Sequence, residues 1–253
     1  MFTRVKTTEE ISAMRESGQM LATVLEMLKR STQSGMSTKY LAGLASKELK
    51  TLGGEPAFLG YQGFPDVLCV SINEEIVHGI PKKQKVIQQG DIVSLDFGVY
   101  YRGMITDGAL SFLAGGAGSS EDEQLIRSTE ESMFAGIDVL HNGIRTGDIG
   151  SAVEAVLNKK HYGVIRNLVG HGVGHHLHEG PDVPNYGTPG SGSLLVSGMT
   201  IAIEPMATLG GYDNYTASDG WTVITKDGSR SAHFENTVLI TENGYEIMTV
   251  LRD

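Results

Sequence analysis

Two stretches of this chain occur twice, and both copies are displaced by the same 108 positions. Gly35-Met-Ser-Thr38-Lys-Tyr-Leu41 matches Gly143-Ile-Arg-Thr146-Gly-Asp-Ile149, and Gly90-Asp-Ile-Val-Ser-Leu-Asp96 matches Gly198-Met-Thr-Ile-Ala-Ile-Glu204. One offset shared by two separate segments points to an internal duplication, so the chain should fold as two similar units about a pseudo-two-fold axis. Local patterns define the unit. Thr7 and Glu10 fit a capping box, and Ile11, Met14, Leu21, Leu25 and Leu28 follow at helical spacing. Ser37 or Thr38 can cap a second helix carrying Leu41, Leu44, Ala45 and Leu49, which Gly53-Gly54 stops. Leu68 to Ile72 reads as a buried strand, and 91–101 with 104–112 as two strands around a hairpin at Tyr101-Arg102-Gly103. Beyond the Gly/Ser loop Gly115 to Ser120, Ser120 can cap a helix to about His141, and Thr146 precedes another carrying Ile149, Val153, Val156 and Leu157. The expectation is an α+β fold of duplicated helix-helix-sheet units with an antiparallel sheet core. It forms one domain over 1–253, with halves of about 1–114 and 119–253.

Composition narrows the partners. Lys+Arg is 20 against Asp+Glu 30, a net charge of −10 that repels phosphate backbones and argues against DNA. No apolar run approaches the roughly 18 residues of a membrane span, and the N-terminus lacks the apolar core of a signal peptide. With one cysteine, Cys69, no intrachain disulfide is possible, which fits a reducing compartment. The expectation is a cytoplasmic chain with no membrane partner, and nothing demands more than a monomer.

Acidic residues carry the strongest chemical signal. A hairpin centred between Tyr101 and Arg102 would set Asp96 directly opposite Asp107, in apolar surroundings. Either one carboxylate is protonated, or a cation lies between them, or the turn is offset by one residue and one aspartate faces solvent. Glu204 stands at the duplicate position of Asp96. Glu235 is read as the duplicate of Asp107 if the second unit carries an insertion of about twenty residues. A pseudo-two-fold would then gather four buried carboxylates, untenable without cations. Hard oxygen donors in this number suit two divalent ions such as Mn, Fe(II), Co or Zn. Four histidines fall within Gly170-His171-Gly-Val-Gly-His175-His176-Leu-His178, in no zinc-finger spacing. Its glycines suit an irregular strand lying close to a site. His171 and His178 are the candidates. His175 and His176 are read as structural or solvated, and His141 and His161 receive no role.

Together these residues resemble type I methionine aminopeptidases over nearly the whole chain. The resemblance rests on Gly60-Tyr-Gln-Gly-Phe-Pro65, Cys69-Val-Ser-Ile-Asn, His78-Gly-Ile-Pro81, Ser94-Leu-Asp-Phe-Gly, Thr106-Asp107, Gly170-His-Gly-Val-Gly, His178-Glu-Gly-Pro, Ile203-Glu-Pro, Asp219-Gly-Trp-Thr-Val and Phe234-Glu-Asn-Thr. It implies a pita-bread fold and hydrolytic removal of the initiator methionine from nascent peptides with a small second residue. It implies metal ligands Asp96, Asp107, His171, Glu204 and Glu235, two divalent ions, and a metal-bridged hydroxide as nucleophile. Glu204 would accept the proton, His178 would stabilise the oxyanion, and His78 would contact the scissile nitrogen. The methionine side chain would lie among Tyr61, Phe64, Cys69, Leu177 and Trp221. Phe58 and Leu177 stand where other members often carry different residues. A transient ribosome contact is also implied, although 210–219 has no lysine and the net charge is −10.

Three other readings compete. A proline-directed aminopeptidase of the same fold would share the five ligands but usually carries an N-terminal domain, for which a helix starting near Thr7 leaves no room. A non-catalytic binding protein on this scaffold would have lost ligands. A phosphate-binding glycine loop at Gly170 would need a lysine that is not there.

Overall fold

Side-chain caps set the helix starts. The computed structural model describes residues 2–251. Helix α1 (Thr8–Ser31) opens on the expected capping box: the Glu10 N–H donates to Thr7 Oγ1 at 3.2 Å, and the Thr7 N–H donates to Glu10 Oε2 at 2.8 Å. Helix α2 (Thr38–Leu52) is capped by Ser37 and ended by Gly53 at φ 88°. Helix α3 (Ser120–Asp138) takes Ser119 as its cap, one residue before the expected Ser120, because Ser119 and Asp122 bond reciprocally there. It also stops short of His141. Helix α4 spans Thr146–Asn158.

Hydrogen bonds repeat the duplication. Gly35 N–H donates to the Ile87 carbonyl and Gly143 N–H to that of Leu195, while Thr38 N–H donates to Lys85 and Thr146 N–H to Ser193. Isolated bridges join Ser37 to Val86 and Arg145 to Leu194. Every one of these pairs is related by the 108-residue offset read from sequence.

An antiparallel sheet carries both units. Its strands run in the order Glu55–Pro56, Ile92–Tyr101, Met104–Leu113, Glu235–Thr241, Thr200–Ile203, Gly170–Gly172 and Glu179–Val183. Cys69–Ile72 also pairs with Ile92–Tyr101, and Gly244–Ile247 with Glu235–Thr241. Strand alternation then separates core from site. Val93, Leu95, Phe97 and Val99 pack with Leu21, Leu28, Leu41 and Leu49 of α1 and α2. Ile201, Ile203, Val238 and Ile240 pack with Leu125, Ile137, Ile149 and Val153 of α3 and α4. The intervening Asp96 and the residue after Ile203, Glu204, are thereby directed to the other face.

Two register expectations need correction. The hairpin pairs Tyr101 with Met104, so its turn is Arg102-Gly103, with φ of 50° and 85°. Two left-handed residues are what a type I′ turn requires. The ladder therefore shifts by two, with Asp96 opposite Ala109 and Asp107 opposite Gly98. A two-residue shift preserves the face, so the aspartates are diagonal neighbours rather than direct partners. Ala109 in turn opposes Glu235, and Cys69 opposes Asp96, which lines up Cys69, Asp96, Ala109 and Glu235 across four strands. The alanine methyl fills little of the space between the two acids. In the second unit Met206 opposes His233 and Ile203 opposes Asn236, in one continuous register. Laid on the first hairpin, that register makes Glu235 the counterpart of Ala109 and His233 the counterpart of Asp107. Glu235 is thus two residues further along its strand than a true duplicate of Asp107 would be. Among the described residues, no helix is long and apolar enough to cross a membrane.

Candidate metal centre and substrate cleft

Every site residue expected from the sequence lines one cleft. Its floor is the acidic row. Asp107 is fixed across the strand junction: its N–H donates to Thr237 Oγ1 at 2.9 Å, and that hydroxyl donates to the Asp107 carbonyl at 2.8 Å. Gly108 N–H donates to Asp107 Oδ1 at 3.0 Å. His171 Nδ1 lies 2.9 Å from the Gly172 carbonyl, which places the proton on Nδ1. The lone pair of Nε2 then faces Glu204 Oε1 at 3.4 Å.

Electrostatics make this floor unstable alone. Burial, then the charge of Asp107, raises Asp96 well above the usual carboxylate range, and burial pushes Asp107 up to about 7. Burial followed by neighbouring carboxylates raises Glu204 and Glu235 in the same way. Asp96 Oδ1 and Glu235 Oε1 are buried without a hydrogen-bond partner. Bare oxygens beside neutral imidazole nitrogens fit divalent cations. Donor atoms of Asp107, His171 and Glu235 lie within 4.8 Å of one another, as do those of Glu204, His233 and Glu235. Glu235 belongs to both groups.

His233 carries no expectation from the sequence, although its position two residues before Glu235 puts both on one face of an extended strand. Burial, then the nearby His78, pushes its imidazole down to about 3. Gln62 also lines the cleft, as does Phe58, whose ring meets Phe64 edge-on at 6.4 Å.

Above the floor the cleft is apolar. Phe58, Phe64, Cys69 and Leu177 form a buried cluster flanked by Tyr61 and Trp221. Trp221 meets Phe64 edge-on at 5.1 Å and His78 at 6.3 Å. Asp219 fixes the indole's backbone by accepting the N–H groups of Trp221 at 3.1 Å and Thr222 at 2.9 Å. Burial, then the charge of Asp96, raises the Cys69 thiol, so it packs as a neutral group.

The histidines differ by position. His78 sits at φ 58°, and burial, then His178, lowers its imidazole to about 4. His171 falls to about 3 through burial, then His178, whose ring lies 4.2 Å away. Tyr61 OH is 2.8 Å from His178 Nδ1, and Gln62 Nε2 donates to the same hydroxyl at 3.2 Å. If the tyrosine hydroxyl donates to Nδ1, Nε2–H of His178 is left as a donor. The turn bearing His178 is tied to the N-terminal segment, where buried Lys6 Nζ lies 3.5 Å from Glu179 and Glu10 is 2.6 Å from His175. His176, His141 and His161 do not line the cleft.

Comparison with known proteins agrees with this arrangement. Residues 12–242 match the model of metallopeptidase family M24. The chain belongs to that family. A methionine aminopeptidase of Clostridium acetobutylicum is 45% identical over 97% of this chain and 98% of its own length. Methionine aminopeptidase 1 of Bacillus subtilis is 43% identical over 96% and 98%. The crystal structure of a Thermotoga maritima methionine aminopeptidase superposes with a TM-score of 0.96 at 43% identity, covering 98% of this chain and all of that one. Prolidase from Pyrococcus furiosus, at 22% identity and a TM-score of 0.80, covers 98% of this chain and 66% of its own, and shares the fold alone. The M24 chain described here has the pita-bread architecture, and its α+β, antiparallel design is the one its duplication implied.

Proposed function

We propose that this M24 metallopeptidase removes the N-terminal methionine from peptides and nascent proteins whose second residue is small. The reading is carried by one observation: the buried carboxylate floor of Asp96, Asp107, Glu204 and Glu235, with His171, adjoins an apolar recess. Relatives named methionine aminopeptidase over nearly their whole length support it over the proline-directed alternative.

Asp96, Asp107, His171, Glu204 and Glu235 would hold two divalent ions. When bound, such ions acidify a water near neutral pH and polarise the scissile carbonyl. Glu204 would accept a proton from the attacking water. His178 donates Nε2–H to the developing oxyanion, a tautomer favoured when the Tyr61 hydroxyl, 2.8 Å from Nδ1, acts as donor. His78 hydrogen-bonds the scissile nitrogen. Tyr61, Phe64, Cys69, Leu177 and Trp221 surround the methionine side chain. The working unit is the whole chain as a cytoplasmic monomer. Any ribosome contact is transient and weakened by the net charge of −10.

A Met-Ala-Ser peptide assayed with Mn, Co or Fe(II), beside a Gly-Pro substrate, tests the reading. Release of methionine with no Gly-Pro cleavage is expected. Preferential Gly-Pro cleavage would favour a proline-directed enzyme, and no turnover with any ion would refute both.

A further inference from the structure

We infer that His233 is a nitrogen donor to the metal centre, binding through Nε2 the ion that Glu204 and Glu235 hold. This rests on the dinuclear reading above. Its ring is 1% exposed by residue, yet neither Nδ1 nor Nε2 has a hydrogen-bond partner. Buried polar groups are rarely left bare, and an imidazole with two bare nitrogens calls for a ligand. Nε2 lies 3.7 Å from Glu204 Oε2, too far for a hydrogen bond. That separation suits two donors on one ion, since each stands about 2.0–2.2 Å from the metal. Glu204 thus lies between two imidazoles, with Oε1 facing His171 at 3.4 Å and Oε2 facing His233.

The fold fixes the backbone that carries this ring. Ser111 Oγ accepts the His233 N–H at 2.9 Å and donates to the His233 carbonyl at 2.8 Å, and Ser94 braces Ser111 at 2.7 Å. The ladder register makes His233 the counterpart of Asp107, so the pseudo-two-fold places a donor from each unit at matching sites. A neutral nitrogen also adds a bond without adding charge. Four carboxylates already balance two divalent ions. A second imidazole moves the donor set toward Zn(II), Co(II) and Fe(II) and away from ions that prefer oxygen, such as Mn(II).

The test uses full-length protein with histidine rings labelled with nitrogen-15 and loaded with Co(II). Two rings, His171 and His233, should show large hyperfine shifts, and His233→Gln should remove one set. Chelator competition should show Zn(II) and Co(II) binding weakened at least about tenfold in both His233→Gln and His233→Ala, with Mn(II) affected less. A single shifted ring in the wild type, or wild-type affinities in both variants, would overturn the inference while leaving the five-ligand centre standing. Wild-type protein that binds no divalent ion would overturn both. The wild-type spectrum decides the matter even if a variant fails to fold.

Discussion

Removing divalent ions should make this protein less stable as the pH rises from about 7 to about 8.5. The carboxyls of Asp96, Glu204 and Glu235 are raised well above their usual range by burial and mutual repulsion, and Asp107 to about 7. Their folded pKa values exceed the unfolded ones, so the metal-free folded state retains more protons. The associated stability is complete below about pH 4 and is lost as pH rises through the folded values. Histidines oppose this at lower pH. His78, His171 and His233 are lowered to about 4, 3 and 3 from 6.5, so their deficit disappears as pH rises to 6.5 and then stays constant. Above about pH 6.5 the histidine contribution is constant, and the raised carboxyls set the sign. Each retained proton changes stability by about 1.4 kcal/mol per pH unit. One such proton over the window costs about 2 kcal/mol, roughly 4–8 °C in Tm for a chain of this size. Calorimetric melts in chelator at constant ionic strength should show this fall, and saturating Mn(II) or Co(II) should abolish it. A metal-free Tm that is flat or rising over the window would refute the reasoning.

Other substitutions test separate links. Tyr61→Phe keeps the ring but removes the hydroxyl on His178 Nδ1; a net hydrogen bond of about 0.5–1.5 kcal/mol corresponds to a kcat loss of roughly 2- to 12-fold, with KM unchanged, and a change in KM alone would reduce Tyr61 to a cleft wall. Glu204→Gln should lower kcat by about a hundredfold or more through loss of the proton acceptor; near wild-type turnover would remove that role. A Cβ at Gly18 would overlap the Met248 carbonyl, so Gly18→Ala should lower unfolding free energy by about 1–3 kcal/mol despite a helix-propensity gain of about 1 kcal/mol, and urea titration showing a stabilised variant would contradict this packing.

The sequence carried the repeat because close turns impose residue types. Gly35, Gly90, Gly143 and Gly198 all have φ between 81° and 91°, where a side chain is strained, so glycine marks both copies. It carried the acids because carboxylates in apolar strands stand out against their neighbours. Register was less visible. Choosing the turn at Arg102-Gly103 rather than one residue earlier depends on φ values that Tyr101-Arg102-Gly103 does not announce. His233 was hidden for a related reason: its importance comes from strand pairing with Met206 and from empty ring nitrogens, and only the folded chain displays either. The tie between Lys6 and Glu179 likewise joins residues distant in sequence.

Anomalous diffraction from crystals soaked in Co(II) would probe the metal centre most directly. Two peaks flanking the carboxylates of Asp107 and Glu235, with Asp96 on one and His171 and Glu204 on the other, are the predicted result. An empty floor, or cobalt bound only elsewhere on the surface, would contradict the account.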